Sequence, residues 1–340
     1  MYSMQVFLPI RRYHVGSGTS IEESRVIVGA DTLFGAICWA VSFLYGDDEC
    51  KALVNRFRSG DPPFLTSSAF PARKTGDRIV YLLPFPTVGY LRERIEEELK
   101  KRQPTDEQRF YRKSVAGVEL VSMAGLLSII NGDYSVLKVG DLGRPAVVRE
   151  DEDSELPLFK VLKSYRNVLD RRLYASDVFR FSYVELCEGC GLSFWVRFFD
   201  SSLESVVRSA VRLVNEMGLG GEKSLGLGIG EGDAEFLPNS DVSFGVGDAL
   251  MTISPYVPTD AEVGRFLHGG FMAYNLIERT AFYQSGRFRY FCFSEGSIFP
   301  KLGDMMVYGR MVDIERNISR YGYGFMVEVS LSGFEGSGQT

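Results

Sequence analysis

Between Gly218 and Gly230 the chain reads Gly-Leu-Gly-Gly-Glu-Lys-Ser-Leu-Gly-Leu-Gly-Ile-Gly, six glycines in thirteen residues. Glycine removes the side chain where a backbone must pass close to another group. Successive N–H groups in such a run can form a nest for phosphate oxygens. Lys223 adds a positive charge there and Ser224 a hydroxyl donor. The spacing is not that of a Walker loop, which requires GxxxxGK followed by Ser or Thr. From Gly226 the pattern GxGxG leads toward a strand rather than a helix, which speaks against a dinucleotide fingerprint. On residue pattern alone two readings stand, a phosphate cradle or a flexible turn feeding a glycine-rich strand.

Three other groups could carry chemistry. Lys160 to Arg180 holds Lys160, Lys163, Arg166, Arg171, Arg172 and Arg180 against Asp170 and Asp177, with Tyr165 and Tyr174 interleaved. Aromatic rings beside a basic track suit single-stranded nucleic acid; an ordinary solvated face is the alternative. His14, in His-Val-Gly-Ser-Gly, could act as the general base of a metal-free ribonuclease, but that work needs a positioned partner, and the other histidine, His268, is remote in sequence. Cys187 and Cys190 form one CxxC, which is half of a four-ligand zinc site. With Cys38, Cys50 and Cys292 the cysteine count is odd, so the spacing is not a disulfide framework. The CxxC reads as a hairpin turn, and no metal or cofactor is expected.

Met4, Val6, Leu8 and Ile10 alternate as a strand over 3–10. A glycine-rich link leads to a helix capped by Asp31 or Thr32, with Leu33, Phe34, Ile37, Cys38, Val41 and Leu44 on one face and Gly46 at its end. Ile79 to Phe85 reads as a strand, 92–113 as a solvated charged helix or mobile insertion, and 150–153 as an exposed acidic loop. Phe179–Leu186 and Leu192–Phe199 read as a hairpin joined at the CxxC. A second helix follows, with Ser201 and Glu204 at capping-box spacing and Gly218 at its C-cap. Further strands are expected from Gly247 to Pro255 and from Phe325 to Leu331. Phe282–Phe293 reads as a buried strand or a partner-facing aromatic patch. The chain is therefore expected to be α+β with antiparallel sheets, in two units divided near residue 238.

The chain has 340 residues, 45% hydrophobic, with a net charge of −6. That length fits two domains. Free nucleic-acid binders are usually basic, so a broad RNA binder is disfavoured while a local basic groove is not. No apolar run reaches the length of a membrane span, and the start lacks the features of a signal peptide. A soluble cytoplasmic protein without membrane contact is expected.

Four motifs in order resemble the repeat-associated mysterious protein (RAMP) superfamily of CRISPR systems, and in particular subunit four of the type III-A (Csm) effector complex. They are "FLPIRRYHVGSG" with "VGADTLFGAICWA", "RNVLDRRLYASDVFRFSYVEL", "GLGGEKSLGLGIGE" and "FSEGSIFP". The resemblance implies two ferredoxin-like (RRM-like) domains, 1–237 with an insertion at about 60–180, and 238–340. It implies a non-catalytic subunit that grips the repeat-derived 5′ handle of the CRISPR RNA. Its protein partners would be the large polymerase/cyclase-like subunit and a backbone RAMP subunit. Gly220, Gly221, Lys223 and Ser224 would donate hydrogen bonds, Arg166, Arg171 and Arg172 would meet phosphates or stack on bases, and His14 and Ser17 would line the same groove. Gly16, Asn167, Gly218 and Gly226 complete the implied RNA-binding set. A metal-independent CRISPR-RNA processing endoribonuclease of the same superfamily, with His14 as base, is the alternative.

Overall fold

Strand β1 (Tyr2–Leu8) is an interior strand, next to one edge of the main sheet of the computed structural model, and is buried on both faces. Met4, Val6 and Leu8 point into one apolar layer, as their alternation predicts. Gln5 is buried on the other face, where its amide donates to the Ser193 hydroxyl at 3.0 Å. The structure describes residues 2–16, 22–76, 78–102, 108–152, 156–170, 175–283, 286–315, 318–331 and 334.

After β2 (Arg12–Tyr13) come helices α1 (Ala30–Tyr45) and α2 (Asp47–Arg58). Gly46 ends α1 as expected, its N–H donating to the Ser42 carbonyl at 2.9 Å. The expected side-chain cap is absent: Gly29 holds the N-cap position, and Asp31 points inward instead. Strands β3 (Phe64–Thr66), β4 (Phe70–Thr75) and β5 (Arg78–Pro84) follow, then α3 (Gly89–Arg102) and α4 (Gln108–Ala116). The charged 92–113 stretch is thus helical where described, and Leu91, Ile95 and Leu99 at i, i+4, i+8 bury one face of α3. Next are β6 (Leu120–Ser122), α5 (Met123–Ile130), β7 (Leu137–Asp141) and β8 (Pro145–Arg149). The long ribbon β9 (Phe159–Asp170) and β10 (Ala175–Leu186) precedes β11 (Cys190–Phe198), α6 (Glu204–Met217) and β12 (Glu235–Pro238).

The main sheet runs β12-β1-β11-β4-β5-β6-β8-β7, with β3 also on β11. The stretch read as an insertion therefore extends the sheet. One pair, β6 with β8, is parallel, against the expectation of wholly antiparallel sheets. The expected hairpin between β10 and β11 does not form. Strand β11 has β1 on one side and β3 and β4 on the other, whereas β10 lies between β2 and β9 in a separate sheet. With both edges of each strand already paired, the CxxC turn redirects the chain from one sheet to the other. Cys187 and Cys190 are disulfide-bonded across that turn, where Gly189 has φ 72°. The capping-box expectation is also corrected. Asp200 caps the single 3-10 turn before α6, accepting from the Ser202 N–H at 3.1 Å. The Ser202 hydroxyl and Arg56 hold its carboxyl down to about 2.

The remaining elements are β13 (Ala249–Thr252), α7 (Asp260–Phe266), β14 (Leu276–Tyr283), β15 (Gly286–Phe293), β16 (Ile298–Pro300), β17 (Tyr308–Gly309), β18 (Val312–Glu315), β19 (Ile318–Arg320), β20 (Tyr323–Gly324) and β21 (Met326–Val329). Strand β13 is central between β16 and β21, and β14 pairs with β15. The stretch expected as one strand is divided between the end of β14 and β15; within β15, Tyr290 and Cys292 are buried while Phe291 is exposed. No helix among the described residues is long and apolar enough to cross a membrane.

One buried apolar cluster joins the two ends of the chain, from Met4 to Phe334. Tyr321 packs on Phe34 at 4.9 Å between centroids, and the Tyr323 hydroxyl donates to the Phe57 carbonyl at 2.5 Å. Polar contacts lock the same junction. Asp31 pairs with Arg279 on β14 and accepts from the Tyr290 hydroxyl at 3.1 Å. Burial pushes the Asp31 carboxyl up, against the pull of Arg25 and Arg320. Removing one member of a buried ion pair leaves an uncompensated charge. Asp31→Ala should cost about 3–5 kcal/mol, read as a lowered denaturation midpoint, whereas Lys51→Ala, on the exposed Lys51–Asp48 pair, should leave the midpoint unchanged.

Candidate nucleic-acid interface

The glycine-rich segment leaves α6 at Gly218, whose φ of 95° and N–H bond to the Val214 carbonyl terminate the helix. It then folds back on itself and onto β2. The Leu219 N–H donates to Gly228 O at 2.9 Å, Gly221 N–H to His14 O at 2.8 Å, and Gly228 N–H to Arg12 O at 2.6 Å. Gly220 and Gly228 have φ of 93° and 82°. A Cβ on Gly220 would collide with the His14 carbonyl oxygen, and one on Gly228 with the Leu219 carbonyl. These glycines are therefore required by close approach. The far end is held by Asn215 of α6, buried within an otherwise apolar stripe. Its carbonyl accepts from Gly230 N–H at 2.8 Å, and its side-chain amide donates to Gly232 O at 2.8 Å. Sequence reasoning missed Asn215, although a polar residue inside that stripe was the signal.

The tip of the loop is a single 3-10 turn over Lys223–Leu225, entered through Glu222 in a left-handed conformation and left through Gly226. Lys223, Ser224, Leu225 and Gly226 are exposed, and the N–H groups of Lys223 and Ser224 have no acceptor among the described residues. Gly221 does not offer its N–H as the resemblance implied, because His14 takes it. The Lys223 ammonium lies 5.4 Å from the centre of the Trp39 ring, and Trp39 stacks on Phe43 one turn along α1. Trp39 and Phe43 are exposed and were also missed. They lie off the apolar face of α1, and large aromatics outside a core face are themselves a signal.

His14 sits behind the loop. Its ring is buried, edge-on to Phe181. Nδ1 is 2.7 Å from the Ser182 carbonyl oxygen, which can only accept, so Nδ1 carries the proton. Gly16 is exposed and bridges to Ser24. Arg166 and Asn167 lie on β9, opposite Phe179 and Val178. Arg166 forms an ion pair with Glu222, which brings the ribbon and the loop together. That pair is half-exposed and adds little stability, but it neutralises one of the expected cations. Lys163 and Tyr165 share the other face of the ribbon with Arg180, by register. Ser17, Arg171 and Arg172 lie outside the described residues. No cluster of three metal-ligating side chains occurs among the described ones. The arrangement can offer backbone donors, the exposed Lys223 ammonium, ribbon cations and exposed rings to a polyanion.

No family model matches the chain. It is 28% identical over 236 residues to the CRISPR system Cms protein Csm4 of Thermococcus onnurineus (strain NA1), spanning 68% of this chain and 72% of that protein. Its fold is similar to a chain in the crystal structure of the Csm3–Csm4 subcomplex of the type III-A CRISPR-Cas interference complex. The TM-score is 0.64 at 15% identity, over 95% of this chain and 98% of that one. A chain of the Csm1–Csm4 cassette in complex with cA4 gives a TM-score of 0.56 at 19% identity, over 97% and 98%. In sequence and in fold the chain resembles Csm4.

The glycines separate by what a methyl group would meet. Gly226 has open space but φ of 77°, so Gly226→Ala should cost about 1–2 kcal/mol. Gly228→Ala adds a collision with backbone and should cost clearly more. Thermal melts of the two variants beside the parent chain check this order.

Proposed function

We propose that this chain is a non-catalytic subunit of a type III-A CRISPR RNA-guided effector complex acting in antiviral defence in the cytoplasm. It holds the 5′ handle of the CRISPR RNA and bridges the large polymerase/cyclase-like subunit to a backbone RAMP subunit. The observation that carries the reading is the glycine loop anchored on β2, with Lys223 and Ser224 exposed at its tip beside the β9–β10 ribbon. Single-stranded RNA is held through backbone contacts and splayed bases, and such a rigid loop supplies the donors without closing over the strand. The likeness to Csm4 supports the assembly, since solved Csm4 chains occur with Csm3 in one structure and with Csm1 in another.

The order β12-β1-β11-β4, with α1 following β1 and α6 following β11, supports reading 1–237 as a ferredoxin-like unit. Residues 238–340 form the second unit in this reading, around β13. Burial of the His14 ring behind the loop weighs against the processing endoribonuclease. A general base must lie within reach of the proton it removes.

Pull-down of tagged protein from its native cells, with mass spectrometry and RNA sequencing, tests the proposal. Co-purification of a large polymerase-like subunit and of RNAs sharing one repeat-derived 5′ end is expected. Lys223→Glu should reduce bound RNA about tenfold or more, the scale of one charge-assisted contact reversed. Recovery of the protein with no RNA, or specific repeat cleavage that depends on His14, would contradict it.

A further inference from the structure

A cavity of about 870 Å³ opens where the β9–β10 ribbon meets the end of β5, the start of β6 and the segments around β14 and β15. None of the glycine-loop residues lines it. Ser182 is the shared wall: its carbonyl accepts from His14 on the loop side, while its hydroxyl accepts from Ser24 N–H at 2.7 Å at the cavity. The volume lies in the range of small-molecule sites.

The chemistry of the walls is uneven. Two pairs of opposite charges are matched, Arg25 on buried Glu295 at 3.5 Å and, at the surface, Arg144 on Glu119 at 2.6 Å. Arg92 donates to the Val118 carbonyl and lies over the Phe85 ring at 5.1 Å, making a flat cationic wall. Toward the ribbon, Lys163 and Arg180 are exposed and have no ion pair among the described residues. By register they share one ribbon face with Tyr165, 68% exposed. At the opposite rim stands Tyr274, half-exposed, and beside it Asn275, whose side chain could meet a donor and an acceptor at once. A polyanion track thus leads into a cavity with flat walls and polar edges. That combination suits one unstacked nucleotide: phosphate on the cations, base between planar groups, base edge on polar side chains.

We propose that this cavity takes a single extruded nucleotide of the RNA strand, with its phosphate on Lys163 and Arg180 and its base against Tyr274 and the Phe85–Arg92 wall. The inference rests on the RNA-holding function proposed above. It adds a base-dependent subsite to a loop that meets only the backbone of the strand.

Synthetic handle RNAs, each with one abasic nucleotide, test it when assembled with the full chain and its complex. Loss of the base should weaken binding about tenfold at one position and little elsewhere. Asn275→Trp places an indole at the exposed rim, in the position of the base, and should erase that penalty. The doubly reversed variant Lys163→Glu with Arg180→Glu, on exposed positions, should erase it as well. Uniform tolerance of abasic sites, with binding still sensitive to Lys223→Glu, would overturn the cavity and leave the RNA-holding function standing. Loss of a protein partner in Asn275→Trp with an unchanged RNA profile would also overturn it, marking the cavity as a protein socket. Absence of RNA binding by the unmodified complex would overturn both.

Discussion

Two backbones meet at Gly220 and Gly228 with no space for a side chain between them. Everything presented at the loop tip depends on that approach. Because Gly221 and Gly228 donate to His14 and Arg12, the loop is an added rung on β2 and not a free flap. Strand β2 is paired in turn with β10. The loop, β2 and the described part of the β9–β10 ribbon are therefore joined by hydrogen bonds, with Ser182 and His14 at the join. A grip built this way loses little conformational freedom on binding, which favours affinity without a large contact area.

The second constraint is the buried junction between the ends of the chain. Asp31 sits in the first turn of α1, in a segment that precedes the site, yet its partners Arg279 and Tyr290 come from the β14–β15 hairpin. Glu295 similarly accepts from Ser68 at 2.8 Å and pairs with Arg25. These polar contacts fix the C-terminal hairpin beside the ribbon, and the large cavity is the space that remains between them.

Much of this was legible in the sequence because it is local. The alternation of Met4, Val6 and Leu8, the apolar stripe of α6, and the glycines at 46 and 218 each encode an element without help from elsewhere. What was not legible depends on distant partners. The turn at Cys187 looks like a hairpin until β1 and β4 are seen to occupy both edges of β11. Asp31 has the composition of a cap but is drawn inward by Arg279, 248 residues away. Helix α2 buries only Leu53 and Phe57, too sparse a pattern to declare itself. At the site, the glycines announced a close approach but not its partner. Glu222, which neutralises Arg166, was hidden because its left-handed conformation and its ion pair both arise from the folded loop.

The central claim is that RNA lies along the face shared by the glycine loop and the ribbon. Ultraviolet crosslinking of the assembled complex, with a photoreactive nucleotide placed at each handle position and peptides mapped by mass spectrometry, tests it most directly. The account predicts crosslinks concentrated in peptides covering 159–186 and 218–230, with few in α2. Crosslinks confined to other parts of the chain, or none to this chain while other subunits are labelled, would contradict it.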